Sequence, residues 1–274
     1  MRIVIKIAGA LLEKDEDVRG IAVQIAALAE AGHSLLVVHG GGKIFTATLE
    51  RMGISSRFVS GLRVTDRQTR DVAVMVFAGL LGKRLAAAIS AEGCSAAGIC
   101  AADAQCFTAE PMTRGEETGD LGYVGCLTGV NVAFLESLWQ AGIVPVAACL
   151  GQGSDGELYN INADHMAAAC ADFLGAARLI FLTDVAGVLD GAAVLPAVTC
   201  DDIEPMIRSR RVTGGMVLKL EACRRALEAG VAAVRIVGGN LPGALLAAAN
   251  GQASIGSQIL QTASAVATAA GRFA

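Results

Sequence analysis

Two lysines, one aspartate, one arginine and a run of three glycines are the residues of this chain whose types and surroundings suit chemistry. Lys6 lies in the apolar stretch Arg2-Ile-Val-Ile-Lys6 and is followed by Ile7-Ala8-Gly9-Ala10. A lysine there either snorkels at a strand end or aims its ammonium into a cleft at the carboxyl edge of a sheet, and the neighbouring glycine loop favours the cleft. Lys219 follows Thr213-Gly-Gly-Met216 in the first turns of a predicted helix. An ordinary helix face would solvate it, whereas paired glycines at a helix start suit a phosphate contact. His39-Gly40-Gly41-Gly42 falls between an apolar strand and a helix, where successive peptide N–H groups without side chains form an anion cradle. Asp164 closes Asn160-Ile-Asn-Ala-Asp164 and opens a helix. It reads as a helix N-cap, as a carboxylate that orients the lysines, or as both. Arg63, in Gly61-Leu-Arg-Val-Thr-Asp66, offers a planar fork matched to a carboxylate.

Cations at separate loop–element junctions and a glycine cradle together suit phosphoryl transfer, whose transition state spreads negative charge over equatorial oxygens. Fixed positive charges and N–H dipoles stabilise that charge more than they stabilise the ground state. Two other glycine patterns are set aside. Gly42-Lys43 is followed by Ile44, where a P-loop requires Ser or Thr. Gly151-Gln-Gly-Ser-Asp-Gly156 matches a dinucleotide fingerprint, but strand-like residues follow it, so a hairpin turn is expected.

These residues need elements to position them. Apolar runs at 2–8, 34–38, 143–149, 178–183 and 233–237 read as buried strands. Helices are expected over 15–31, 43–52, 66–92, 130–141, 164–174 and 215–229, with Arg70, Lys83 and Arg84 on the polar side of the third. The glycine-bearing segment 94–126 reads as a β-rich excursion of hairpins, and residues 262–274 as a loose alanine-rich tail. Strands alternating with helices predict an α/β fold with an open, mainly parallel sheet covered on both faces, whose loops at the carboxyl strand ends carry the chemistry.

The chain has 274 residues, 54% apolar and 18% charged, with a formal net charge of −4. That balance argues against nucleic acid as the main partner. No uncharged apolar run is long enough to cross a bilayer and no signal-peptide pattern precedes the first strand, so a cytoplasmic protein with no membrane partner is expected. Eight cysteines without C-x-x-C pairing or zinc-ligand histidines read as reduced, mostly buried thiols.

Taken in order, Ile5-Lys-Ile-Ala-Gly9, Val38-His-Gly-Gly-Gly42, Gly61-Leu-Arg-Val-Thr-Asp66, Leu121-Gly-Tyr-Val-Gly125, Asn160-Ile-Asn-Ala-Asp164, Leu182-Thr-Asp-Val-Ala-Gly-Val188 and Gly214-Gly-Met-Val-Leu-Lys219 resemble the acetylglutamate kinases of the amino acid kinase family. The resemblance spans nearly the whole chain. It implies a three-layer α/β/α sandwich divided near 175–180. Residues 1–175 would form an acyl-amino-acid-binding and dimerisation lobe, residues 176–274 an ATP-binding lobe, on one continuous sheet. It further implies transfer of the γ-phosphoryl group of ATP to the side-chain carboxylate of N-acetyl-L-glutamate, in arginine biosynthesis. Lys6 and Lys219 would stabilise the transferring group and Asp164 would hold them. Gly9, Gly41 and Gly42 would offer N–H groups. Arg63 would grip the α-carboxylate and Asn160 would contact the substrate. Asp184, Val185, Gly187, Leu189, Arg211, Thr213, Gly215 and Met216 would line the ATP site. Magnesium would arrive with ATP, without dedicated protein ligands. The acceptor carboxylate is already ionised at neutral pH, so no general base is required.

One departure from the family pattern is Ala8, where a first glycine is usual. The chain also starts at its first strand, without the extra N-terminal helix of arginine-inhibited hexameric relatives, so the expectation is a homodimer insensitive to arginine. Rival readings are a family member acting on N-succinylglutamate or on carrier-bound aminoadipate or glutamate, and a non-catalytic metabolite sensor on the same fold. Carbamate kinase, aspartokinase and uridylate kinase fit the Arg63 segment or the domain content less well.

Overall fold

The computed structural model describes residues 1–59, 61–112, 120–252 and 254–261. The expected tail at 262–274 lies outside the described residues. Eight strands make the central sheet: β1 (Arg2–Ile7), β2 (Ser34–His39), β3 (Ala96–Ile99), β4 (Val144–Ala148), β5 (Arg178–Thr183), β6 (Ala197–Thr199), β7 (Val234–Gly238) and β8 (Ser257–Leu260). They lie in the order β6-β8-β7-β5-β1-β2-β4-β3. The six from β7 to β3 run parallel. β8 pairs antiparallel with β7 and parallel with β6, so the last two run the other way. Strands such as β1, Arg-Ile-Val-Ile-Lys-Ile, are buried along nearly their whole length because helices cover both faces, which is why they read as continuous apolar runs rather than alternating ones.

The helices are α1 (Asp15–Glu30), α2 (Gly42–Arg51), α3 (Arg67–Ala91), α4 (Val132–Gln140), α5 (Ala163–Phe173), α6 (Cys200–Arg208), α7 (Gly215–Glu228) and α8 (Ala244–Ala249). α1 packs on α8 and the second half of α3, and α5 packs on α7 and β1. α3 widens to π-type turns over Val74–Leu81. By length and composition alone it could cross a membrane, but half of its apolar span is buried inside the protein, as in a core helix.

β1 sits mid-sheet, and register decides what surrounds its end. Lys6 pairs with Val38 on β2 and with Phe181 on β5. The loops after β1, β2 and β5 therefore leave the sheet side by side, and the residues expected to act together start from neighbouring strand ends.

Several expectations change. Residues 94–99 do not begin the hairpin excursion: Ala96–Ile99 closes the edge of the main sheet beside β4. The excursion proper is a four-stranded sheet in which Leu158–Asn160, Leu150–Gln152, Phe107–Pro111 and Gly125–Val130 are neighbours in that order. The turn at 151–156 does join an antiparallel hairpin. Arg70 is not on a solvated face. It is buried over the Tyr123 ring, 4.6 Å from its centroid, and paired with Asp71 and Glu157. None of the eight cysteines is in a disulfide, but only Cys106, Cys149, Cys170 and Cys223 are buried, and Cys126 is exposed.

Candidate active site

Lys6, Asp164 and Lys219 meet beyond the carboxyl end of β1. The Lys6 Nζ is 2.7 Å and the Lys219 Nζ 2.9 Å from the same oxygen, Asp164 Oδ1. All three residues are buried, so one carboxylate shares two ammonium groups and the cluster keeps an excess positive charge. Burial alone would raise the carboxyl pKa of Asp164, but the two ammonium groups outweigh it and hold the acid far below its usual range. Lys6 is lowered to about 8, because burial and the repulsion of Lys219 outweigh the attraction of Asp164.

Local sequence explains how Asp164 comes to be free for this task. The α5 N-cap is Asn162, whose side chain accepts from the N–H groups of Asp164 and His165 at 2.9 and 3.1 Å. The capping role weighed for Asp164 thus falls two residues earlier, and the Asp164 carboxylate turns inward from the first turn. Lys219 stands in the early turns of α7, after Gly214 takes a φ of 57° that favours glycine. Its ammonium lies 5.2 Å from the centroid of the Phe181 ring.

The two glycine loops touch. A Cβ on Gly9 would stand 2.8 Å from the Cα of Gly41, and one on Gly41 would stand 2.2 Å from Leu81 Cδ1. Gly9 needs glycine for the close approach of backbone, and a side chain on Gly41 would have to displace Leu81. Ala8 adopts an ordinary extended conformation, φ −67° and ψ 141°, and donates its N–H to Leu182 O at 2.9 Å. It packs against the core and is not part of the cavity wall, so the methyl that replaces the usual glycine hydrogen stays clear of the cavity.

A cavity of about 230 Å³ opens between these loops and the Gly61–Asp66 stretch. Lys6, Gly9, Gly41, Gly42, Arg63, Asn160 and Asp164 all line it. Arg63 is held without a carboxylate. Its Nη2 donates to Thr46 Oγ1 at 2.6 Å, its Nη1 donates to the Ser56 hydroxyl, and its guanidinium lies 4.7 and 4.5 Å from the ring centroids of Phe45 and Phe58. Among the described residues no carboxylate pairs with it, and burial lowers its pKa. A buried guanidinium gripped by rings and hydroxyls is oriented for an anion that comes from outside the chain.

The backbone around Arg63 is tied down. Thr65 N–H donates to Leu121 O at 3.0 Å, Tyr123 N–H to Thr65 O at 2.6 Å, and Asn160 N–H to Tyr123 O at 2.8 Å. Asn160 Nδ2 reaches Thr65 Oγ1 at 3.2 Å. Gly122, at φ 65°, allows this stitch, since a Cβ there would stand 2.3 Å from Thr65 O.

The residues expected around a nucleotide lie on other segments of the chain. Asp184, Val185, Gly187 and Leu189 follow the carboxyl end of β5, and Thr213, Gly215 and Met216 surround the start of α7. Val188 N–H donates to Ser257 Oγ at 2.8 Å, and a Cβ on Gly187 would stand 2.7 Å from that same oxygen. Arg211 reaches back to Asp190, with Nε 3.1 Å from Oδ1. None of these residues lines the cavity around Lys6, and Lys219 joins it only through Asp164. The sequence reading missed Phe45, Phe58, Thr46 and Ser56 as the frame of Arg63, since they meet only in three dimensions. It also missed Asn162 as the cap, for which an Asn at the foot of an apolar helix is a readable signal.

Residues 1–238 match the model of the Amino acid kinase family. The chain is 51% identical over 238 residues to an acetylglutamate kinase of Koribacter versatilis (strain Ellin345), covering 86% of this chain and 90% of the relative. It is 45% identical over 246 residues to an acetylglutamate kinase of Solibacter usitatus (strain Ellin6076), covering 89% and 94%. Among solved structures, smu.665 from Streptococcus mutans UA159 superposes with a TM-score of 0.80 at 29% identity, over 95% of this chain and 99% of that one.

Proposed function

The chain belongs to the amino acid kinase family, and on that premise we propose that it transfers the γ-phosphoryl group of ATP to the side-chain carboxylate of N-acetyl-L-glutamate in arginine biosynthesis. The observation that carries the reading is the shared contact of Lys6 and Lys219 with one Asp164 oxygen, beside two glycine loops and a guanidinium that has no partner carboxylate among the described residues.

In this reading the α-carboxylate of the substrate pairs with Arg63, and Asn160 contacts the acyl amino acid. The side-chain carboxylate then faces Lys6. One of its oxygens attacks the γ-phosphorus, the bond to the β–γ bridging oxygen breaks, and ADP leaves with the electron pair. Lys6 and Lys219 meet the charge that builds on the equatorial and bridging oxygens, assisted by the N–H groups of Gly9, Gly41 and Gly42. Asp164 orients both ammonium groups and takes no proton. Its engagement with two lysines leaves it poorly suited to a metal, so magnesium would be carried on the nucleotide's phosphates, where it neutralises oxygen charge. Asp184, Val185, Gly187, Leu189, Arg211, Thr213, Gly215 and Met216 form the nucleotide side, within residues 176–274, while residues 1–175 hold the acyl amino acid.

The cavity wall favours a neutral, small acyl group. Its cationic side chains are Lys6, already engaged by Asp164, and Arg63, and much of the rest is apolar: Phe45, Leu62, Phe77, Val124 and Ile161. A succinyl carboxylate would find no second free cation there among the described residues. We further propose a cytoplasmic homodimer. Met75 and Leu80, 59% and 55% exposed on α3, offer an apolar face to a second copy. Eight cysteines without a disulfide suit a reducing compartment.

An ADP-release assay with N-acetylglutamate, N-succinylglutamate, glutamate and aspartate tests the reading. Turnover on N-acetylglutamate at least tenfold above the other three is expected. Equal or greater turnover on N-succinylglutamate, or none on any, would refute it.

A further inference from the structure

His39 closes β2 directly beneath the glycine run, and its imidazole is fully buried. Its Nδ1 lies 3.0 Å from the carbonyl oxygen of Gly40. A carbonyl only accepts, so Nδ1 carries the proton. Burial holds the imidazole pKa down to about 4, so the ring is neutral and Nε2 is a bare lone pair. Among the described residues that nitrogen has no hydrogen-bond partner. It lies 3.4 Å from where a Cβ on Gly82 of α3 would stand, an ordinary van der Waals distance, so the ring packs directly against that helix. A buried imidazole with one nitrogen unsatisfied is a costly choice for a strand end that an apolar side chain would fill more favourably. What the histidine adds over such a side chain is the Nδ1–H bond to Gly40.

That bond has a geometric consequence. The Gly40–Gly41 peptide is trans, so its C=O and N–H point in opposite directions. Holding the Gly40 carbonyl on the imidazole therefore fixes the direction of the Gly41 N–H. Among the described residues neither Gly41 N–H nor Gly42 N–H has an acceptor. The Gly41 nitrogen lies 3.0 Å from the position a Cβ on Gly9 would take, beside the cavity that both glycines line. Three consecutive glycines carry little conformational restraint of their own. Leu81 and Phe77 wall in Gly41 from α3, but neither can orient a peptide plane.

We infer that His39 is a positioning residue for phosphoryl transfer, locking the Gly40–Gly41 peptide so that the Gly41 N–H meets an oxygen of the transferring group. The inference rests on the kinase reading above and adds a residue to it.

Three variants separate this role from simple packing. In His39→Asn the side-chain amide nitrogen reaches the place of Nδ1 and can still donate to Gly40. In His39→Gln it reaches the place of Nε2, and His39→Leu has no donor. Steady-state kinetics with N-acetylglutamate and ATP are measured beside thermal melting of each variant. His39→Leu and His39→Gln should lose about ten- to a hundredfold in kcat, with KM for N-acetylglutamate within about twofold of the parent. His39→Asn should recover most of the loss. Parental kcat in His39→Leu, or a folded His39→Asn as slow as His39→Leu, overturns the inference while leaving the kinase reading intact. If His39→Leu and His39→Gln do not fold, the kcat of folded His39→Asn decides alone. A parent protein that turns over no N-acetylglutamate defeats the kinase reading, and this inference with it.

Discussion

Lys6 and Asp164 are joined by an ion pair of 2.7 Å that links the carboxyl end of the central strand to the first turn of the helix that follows Asn162. Neither charge faces bulk water, so each depends on the other, and Asp164 also draws on Lys219. A buried pair of this kind is weak as a source of net stability but severe when broken. Asp164→Asn would keep the shape and leave two neighbouring ammonium groups uncompensated. It should lower the unfolding free energy by about 3 kcal/mol and abolish turnover, as read by urea denaturation and ADP release. An Asn variant of parental stability would contradict the described charge sharing.

The lowered pKa of Lys6 has a kinetic signature. In the free protein the ammonium titrates at about 8 rather than at the ordinary lysine value. The charged form is the one that stabilises phosphoryl oxygens, so kcat/KM for ATP should fall as pH rises through about 8. Bound phosphates add negative charge and raise the pKa, so kcat should hold to higher pH. A pH profile of both constants from 6 to 10 checks this (range set by the lysine reference value). A kcat/KM flat across that range would contradict it.

Acid stability should follow His39. Its folded pKa, about 4, lies below the unfolded value near 6.5. The unfolded chain therefore binds the extra proton between those values. The histidine's effect is neutral above about pH 6.5, and stability is lost as pH falls from there towards 4, by about 3 kcal/mol in all. Asp164 acts later, since its folded pKa is depressed and its contribution fades only below the ordinary carboxylate range. Urea midpoints from pH 7 to 4 should fall steeply in the parent and much less in His39→Asn. Parallel curves would show that another group governs this window.

Arg63 should control acceptor affinity and little else. It is fixed by Phe45, Phe58, Thr46 and Ser56, but no carboxylate of the described chain neutralises it. Arg63→Lys keeps the charge and loses the fork and the ring stacking. KM for N-acetylglutamate should rise by about ten- to a hundredfold, the worth of a charge-assisted pair at 1.5–3 kcal/mol, with KM for ATP within about threefold. Equal changes in both constants would place Arg63 elsewhere in the reaction.

The long strands and helices were legible because buried parallel strands leave unbroken apolar runs such as Ile3-Val-Ile5 and Leu35-Leu-Val-Val38, and long helices leave a repeating face. The short elements 197–199, 244–249 and 257–260 were not, since three to six residues carry too little pattern to set against alanine-rich surroundings. The strand Ala96–Ile99 was hidden for a related reason: Ala-Ala-Gly-Ile resembles loop more than core, and only its partner β4 makes it a strand. At the site, Lys6, Asp164, Lys219 and the glycines could be picked out by type and by their places at element ends. That Arg70 would be buried over Tyr123, or that Arg63 would be clasped by two phenylalanines, depends on contacts between distant segments and left no local trace.

The central claim is that two ammonium groups held on one carboxylate stabilise the transferring phosphoryl group. Its most direct test is single-turnover ADP formation from bound ATP and N-acetylglutamate in Lys6→Ala and Lys219→Ala, alongside calorimetric binding of a non-hydrolysable ATP analogue. The rate should fall by at least about a hundredfold in each variant, with analogue affinity within about fivefold of the parent. A parental rate in either variant, or a loss explained wholly by weaker binding, would contradict the account.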